Sequence, residues 1–143
     1  MAVVHKSVLV GYSAEQMYAL VECIENYPQF LPWCGGAEIH SREENKCIAT
    51  LAINYHGIKQ SFTTENINTY PVSIKMGLKK GPFKHLEGEW FFKSLREDAC
   101  KVEFELHYEF SSKILEQIIG PVFGKITNSF VDSFCKRAEV VYG

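Results

Sequence analysis

The sequence predicts an α+β fold in which one curved antiparallel β-sheet packs against a long C-terminal helix. From residue 37 to residue 110, apolar residues recur at every second position, the period of a strand with one buried face. Beyond residue 113 they recur every three or four positions, the period of an amphipathic helix. The 143 residues are enough for one domain of this kind, and we expect residues 1–143 to form it.

A strand and a short helix come first. Residues 3–10 are rich in β-branched side chains, which predicts a strand. Ser13 and Gln16 have the spacing of a capping box, which predicts that a helix begins there. Pro28 disfavours helical geometry at the residue before it, so we expect this helix to end near Asn26.

Six further strands follow. The clearest is the last, where six apolar residues alternate with five polar ones along residues 100–110. The connections between the strands are short, which favours an antiparallel meander. The predicted strands cover residues 37–42, 46–56, 58–68, 70–79, 82–95 and 100–110.

The last segment predicts a long amphipathic helix that is kinked or broken at Gly120-Pro121. Its aromatic residues Phe123, Phe130 and Phe134 share the apolar face, which must cover the buried face of the sheet. Either these rings fill the space between helix and sheet, or an apolar hollow remains. Their expected partners on the sheet are Trp90, Phe92, Phe104 and Tyr108.

Composition and charge exclude several classes of protein. The net charge of −2 argues against a basic nucleic-acid-binding protein, so we expect no DNA partner. The five cysteines lack a C-x-x-C pair and the five histidines lack H-x-x-H spacing, so we predict neither a metal nor a cofactor. No export signal or membrane-spanning run is visible, and we expect a cytoplasmic protein with reduced thiols.

Three segments resemble the coenzyme Q-binding branch of the START-like superfamily, whose bacterial members include the RatA proteins. The first is YPQFLPWC at residues 27–34, and the second is GPF with LEGEWFF at residues 81–92. The third is FVDSFCKRA at residues 130–138. They occur in the family's order and span essentially the whole chain.

This resemblance implies a helix-grip (START/Bet v 1-like) fold, in which the curved sheet wraps around the C-terminal helix and encloses an apolar cavity. Family members bind lipids or polyprenyl quinones, so the main function implied is non-enzymatic binding of ubiquinone or a similar lipid in support of respiration. The alternative is a RatA-type toxin that binds the large ribosomal subunit and blocks subunit association. A third interpretation is a polyketide cyclase/aromatase-like enzyme.

Catalysis has little support in the residues themselves. The inward positions that can be assigned are almost all apolar, whereas a cyclase needs polar groups in its cavity. His85 and His107 share the polar faces of their strands with glutamates, so we expect solvated side chains rather than acid–base pairs. Cys34 has no visible activating base, and we expect a structural thiol. We therefore predict no catalytic residue.

The segment rich in proline and aromatic residues has two interpretations. Leu31 and Trp33 either plug the open end of the sheet, or Phe30 and Trp33 form a lid over the cavity. In the second case Gly35 and Gly36 would supply a flexible joint.

A ligand-binding set follows from the apolar face and the resemblance. Tyr108 is the expected polar contact, through its hydroxyl. Arg137 either lies at the helix edge or turns inward to bind a quinone carbonyl or a lipid headgroup. The expected ligand-binding residues are Phe30, Leu31, Trp33, Leu78, Phe83, Trp90, Phe104, Tyr108, Phe123, Phe130, Phe134 and Arg137.

Four lysines form a candidate contact surface for an anionic partner. They all lie in the stretch between Glu65 and Glu87, which contains no acidic residue. They fit a solvated face, a peripheral contact with the inner face of an anionic membrane, or a contact with ribosomal RNA phosphates. These residues are Lys75, Lys79, Lys80 and Lys84.

Overall fold

The computed structural model describes residues 1–143 and contains seven strands, two α-helices and a short 3-10 helix. The helices are α1 (Ala14–Glu22) and α2 (Lys113–Tyr142), and the 3-10 helix (Ile24–Gln29) follows α1. The strands are β1 (Ala2–Val10), β2 (Cys34–Glu43), β3 (Lys46–Tyr55), β4 (Ile58–Thr69), β5 (Ser73–Lys80), β6 (Phe83–Arg96) and β7 (Ala99–Phe110).

All seven strands belong to one antiparallel sheet in the order β1-β7-β6-β5-β4-β3-β2. Strands β2 to β7 therefore form the predicted meander, and β1 returns to pair with β7. Two strand starts differ from the prediction by three residues. β2 begins at Cys34, and β5 begins at Ser73 because residues 70–72 form a turn closed by a 2.7 Å bond from the Val72 N–H to the Thr69 carbonyl.

The start of α1 confirms the predicted capping box. The Ser13 hydroxyl accepts from the Gln16 N–H at 3.0 Å, and the Gln16 side-chain oxygen accepts from the Ser13 N–H at 2.9 Å. The predicted end near Asn26 is wrong, because α1 ends at Glu22 and a 3-10 helix containing Pro28 follows. The Tyr27 hydroxyl donates to the Val21 carbonyl, which satisfies an acceptor in the last turn of α1.

α2 is one continuous helix, so the predicted break at Gly120-Pro121 is wrong, and the alternative of a kink there stays a prediction. A proline inside a helix removes its own N–H donor and its ring crowds the carbonyl four residues earlier, but the buried stripe of α2 extends on both sides of Pro121. This stripe has the three- or four-residue spacing of a helix face and packs on the concave side of the sheet. Its residues are Ile119, Phe123, Ile126, Thr127, Val131, Phe134 and Ala138.

The core lies between α2 and the inner face of the sheet. The predicted alternation along β7 is confirmed, since every second residue from Cys100 to Phe110 is buried. The Trp90 ring centroid lies 4.6 Å from that of Phe104 and 5.2 Å from that of Phe134 on α2. Helix and sheet are thus joined by the aromatic contacts that the sequence predicts.

Candidate ligand cavity

A small cavity lies between α2 and the inner face of the sheet. Its volume is about 40 Å³, and 13 of its 15 lining residues are apolar. The aromatic rings therefore fill most of the space between helix and sheet and leave one hollow among them. The lining residues are Ile24, Tyr27, Ala49, Leu51, Phe62, Thr64, Asn66, Met76, Leu86, Trp90, Phe104, Leu106, Phe123, Phe130 and Phe134.

Five of the twelve residues predicted to bind a ligand line this cavity. They come from three elements that meet at its walls, β6, β7 and α2. This placement is what a role in ligand binding requires, and that role stays a prediction. The five residues are Trp90, Phe104, Phe123, Phe130 and Phe134.

The other predicted residues lie outside the lining. Leu31 and Trp33 are each 2% exposed, and the Trp33 ring packs 5.4 Å from the ring of Phe130. This burial fits the interpretation of a core plug rather than a mobile lid for Trp33. Phe83 and Tyr108 pack against Phe123, with ring centroids 5.0 and 4.8 Å away.

Tyr108 is buried, and burial raises the pKa of its hydroxyl while the neighbouring Thr127 hydroxyl opposes that shift. Its side chain does not line the cavity, so a direct ligand contact would require rearrangement. Leu78, on β5, is half-buried and also lies outside the lining.

Arg137 lies on the outer side of the Phe30 ring. Its guanidinium carbon is 5.0 Å from the ring centroid, and its Nη2 donates to the Gln29 side-chain oxygen at 3.0 Å. The inward orientation considered for Arg137 is therefore not the one observed. Phe30 in turn packs on Tyr27 and Phe134, at 6.0 and 5.2 Å, and both of these line the cavity.

An outer groove of about 250 Å³ lies on the far side of Phe30, between α1 and the end of α2. Phe30 and Arg137 both line this groove. One aromatic ring thus stands between the groove and the residues that line the cavity.

The flexible joint expected at Gly35 and Gly36 is wrong. Both residues belong to β2, where the chain is held by pairing with β3. A Cβ added at Gly35 would lie 2.9 Å from the Cβ of Asn54. A side chain at position 35 would collide with the neighbouring strand, which explains the glycine without any need for flexibility.

Two polar residues of the lining, Thr64 and Asn66, are not among the predicted ligand-binding residues. They follow Phe62 at alternate positions of β4, so all three side chains face inward. The alternation along β4 places Thr64 and Asn66 on the same face as Phe62, so the sequence contained the information that two polar side chains face inward. The expected interior was almost wholly apolar and did not include them.

The lysines of the candidate surface are interspersed with carboxylates. Lys79 Nζ lies 3.6 Å from Glu65 Oε2, and Lys84 Nζ lies 3.5 Å from Glu109 Oε2. Lys75 stands opposite Glu89 in the register of β5 and β6. This mixed charge is typical of a solvated face, and contact of these lysines and Lys80 with a partner stays a prediction.

The two histidines considered as acid–base groups lie at the outer face. His107 Nε2 is 2.8 Å from Glu105 Oε1, and His85 Nε2 is 3.3 Å from Glu87 Oε1. All four side chains are more than a third exposed. These pairs lie on the opposite side of the sheet from the cavity.

The thiols are held in their protonated form. Burial raises the pKa of Cys34, whose Sγ donates to the Gly36 carbonyl at 3.3 Å. Burial also raises the pKa of Cys100 to about 11. No group of three or more His, Cys, Asp and Glu side chains is arranged to hold a metal ion. No helix is long and apolar enough to span a bilayer.

A curved sheet closed over its C-terminal helix around an apolar hollow defines a START-like protein. The family described as polyketide cyclase / dehydrase and lipid transport matches residues 10–135. A Vibrio cholerae protein named ribosome association toxin RatA is 46% identical over 140 residues, which cover 98% of this chain and 97% of that protein. A Xenopus laevis protein named coenzyme Q-binding protein COQ10 homolog B, mitochondrial, is 29% identical and is matched over 96% of this chain and 58% of its own length.

Solved structures have the same fold. A START superfamily protein from Mycobacterium smegmatis superposes with a TM-score of 0.80 at 23% identity, over 97% of this chain and 98% of that one. The ZhuI aromatase/cyclase of Streptomyces sp. R1128 gives a TM-score of 0.83 at 15% identity, over 96% and 93% of the two chains. The chain belongs to the polyketide cyclase/dehydrase and lipid transport family, in the START-like branch that contains RatA and COQ10 proteins.

The raised thiol pKa values predict slow alkylation of the folded protein. At pH 8 the thiols of Cys34 and Cys100 are almost entirely protonated, so iodoacetamide should modify them far more slowly than it does in urea. Peptide mass spectrometry would measure both rates. Fast modification of Cys34 in the folded protein would contradict this account and would indicate that Cys34 is a reactive nucleophile.

Proposed function

We propose that the protein binds one apolar ligand, a polyprenyl quinone such as ubiquinone or a similar lipid, and carries it without covalent chemistry. The observation that carries this proposal is the cavity between α2 and the sheet, with 13 apolar residues in its lining. Burial of hydrocarbon in such a site is favourable by about 0.8 kcal/mol per methylene. Membership of a family that includes lipid-transport and coenzyme Q-binding proteins supports it further.

The cavity must expand to accept such a ligand. Its 40 Å³ is well below the roughly 300–1,000 Å³ of sites for drug-sized ligands. Met76 in the lining has a flexible side chain that can adopt other rotamers. Phe30 is the expected point of entry, because it lies between the outer groove and cavity residues Tyr27 and Phe134.

The chemistry of the lining supports carriage rather than catalysis. Tyr27 is its only titratable residue, and its hydroxyl is already bonded to the Val21 carbonyl. Burial raises the pKa of Tyr27 well above its usual range, so it is neutral at physiological pH. We therefore propose no acid, base or nucleophile, although structural neighbours include an aromatase/cyclase.

Ala49→Val should weaken ligand binding. Ala49 lines the cavity on β3, and two added methyl groups would occupy a space of only about 40 Å³. We expect the dissociation constant for decylubiquinone to rise at least tenfold, measured by quenching of tryptophan fluorescence, because Trp90 lines the same cavity.

Ala52→Val is the matched control. Ala52 is on the same strand three residues later, outside the lining, and should leave decylubiquinone binding unchanged. Thermal unfolding of both variants would show that the fold persists, since overpacking of a core costs about 1–3 kcal/mol. Equal binding by wild type and Ala49→Val, with both folded, would exclude this cavity as the ligand site.

Association with the ribosome is a second candidate function. It is favoured by the 46% identity to the Vibrio cholerae protein named ribosome association toxin RatA. A RatA-type activity would bind the large ribosomal subunit in the cytoplasm and block subunit association. Its contact surface would lie on the outside of the molecule, where the four lysines are candidates and the cavity is not involved.

Sucrose-gradient sedimentation of cell lysate at low salt tests the ribosomal function. We expect the wild type and Ala49→Val to sediment equally with the large subunit, because the substitution is buried. Replacement of Lys75, Lys79, Lys80 and Lys84 by Gln should reduce that fraction if these lysines contact RNA phosphates. Absence of the wild type from the large-subunit fraction would contradict the ribosomal proposal and leave the carrier proposal intact.

A further inference from the structure

Two polar side chains stand out in the otherwise apolar lining. Thr64 and Asn66 are 7% and 5% exposed, and both line the cavity from the inner face of β4. The Thr64 hydroxyl donates to Asn66 Oδ1 at 2.9 Å. They are the only two residues of the 15 that are not apolar.

The pair has hydrogen-bonding capacity that the protein does not use. An asparagine side chain offers two N–H donors at Nδ2, and no protein group accepts from Nδ2 of Asn66. The Thr64 hydroxyl hydrogen is already committed to Oδ1. A ligand group that accepts from Nδ2 would therefore gain a hydrogen bond that no protein group makes with it.

The neighbours of the pair leave room for a ligand group. Ala49 stands opposite Thr64 on β3, and its methyl side chain takes little space. Met76 stands opposite Asn66 on β5, and its unbranched side chain can move aside. Both line the cavity, so the wall beside the pair is the part most easily widened.

We propose that Thr64 and Asn66 form the polar subsite that binds a neutral carbonyl oxygen of the ligand, with Asn66 Nδ2 as donor and Thr64 holding the amide in place. This inference rests on the proposed carrier function and specifies which apolar molecules the cavity accepts. The acceptor is uncharged, because no lysine or arginine lines the cavity and an unpaired buried carboxylate is strongly disfavoured. Quinones, ketones and esters can accept this hydrogen bond. Plain hydrocarbons can enter the cavity without using the donor, and fatty-acid anions are disfavoured by their charge.

Two variants and three probes test the subsite. Asn66→Leu removes the donor at similar size, and Thr64→Val removes the hydroxyl that orients it. Binding of decylubiquinone, 2-dodecanone and decylbenzene to each folded protein would be measured by isothermal titration calorimetry. We expect Asn66→Leu to weaken binding of both carbonyl probes about tenfold. The dissociation constant for decylbenzene should change by less than about twofold. Thr64→Val should have a smaller effect of the same kind.

Several outcomes would overturn the inference. Equal loss for all three probes would show that the pair acts only on the fold, and no loss for any probe would show that no ligand group bonds to the pair. If Asn66→Leu does not fold, the double variant Thr64→Val with Asn66→Leu removes both polar groups together and should show the same selective loss.

The same titrations separate this inference from the carrier proposal. Asn66-dependent binding of 2-dodecanone without binding of decylubiquinone would exclude the quinone and retain the subsite. Tight binding of all three probes without dependence on Asn66 would retain the carrier and exclude the subsite. Failure of the wild type to bind any probe would overturn both.

Discussion

The contact between the aromatic face of α2 and the concave face of the sheet determines the rest of this structure. A sheet with one apolar face must cover it, and only α2 is long enough to do so. The ring centroid of Trp90 on the sheet lies 5.2 Å from that of Phe134 on the helix. The ring centroid of Phe104 lies 5.5 Å from that of Phe130. These rings close most of the core and leave a small hollow beside them.

The same contact divides the molecule into two chemical environments. Inside, apolar side chains enclose a cavity that holds one polar pair, Thr64 and Asn66. Outside, charged residues of neighbouring strands pair with each other, as Lys79 does with Glu65. A ligand carried inside and a partner bound outside would therefore use different residues. The two candidate functions are compatible and can be separated by substitution.

Periodic elements were predictable from the sequence, and local exceptions were not. The alternation along β7 and the helical spacing of α2 gave the correct element types and faces. The helix is not broken at Pro121, because packing along the whole length of α2 outweighs the local cost of a proline in its interior. Gly35 was interpreted as flexible because its close approach to Asn54 exists only after β2 and β3 pair.

The candidate site was predictable only in part, for a similar reason. Large aromatic residues at inward positions, such as Trp90 and Phe134, were expected at the cavity and line it. Trp33 lies in the segment before β2, and its orientation is set by packing on Phe130. Arg137 lies at the edge of α2, and its orientation is set by the hydrogen bond to Gln29. The stretch that contains the lysines has no acidic residue, but Glu109, distant in sequence, becomes a neighbour of Lys84 in the folded sheet.

The central claim is that the folded protein carries an apolar, carbonyl-bearing ligand between α2 and the sheet. Purification without detergent from cells with intact membranes, followed by organic extraction and mass spectrometry, tests it most directly. The account predicts a quinone or similar carbonyl lipid at close to one molecule per wild-type chain, and a marked loss from Ala49→Val. A folded wild-type protein that yields no apolar molecule would contradict it.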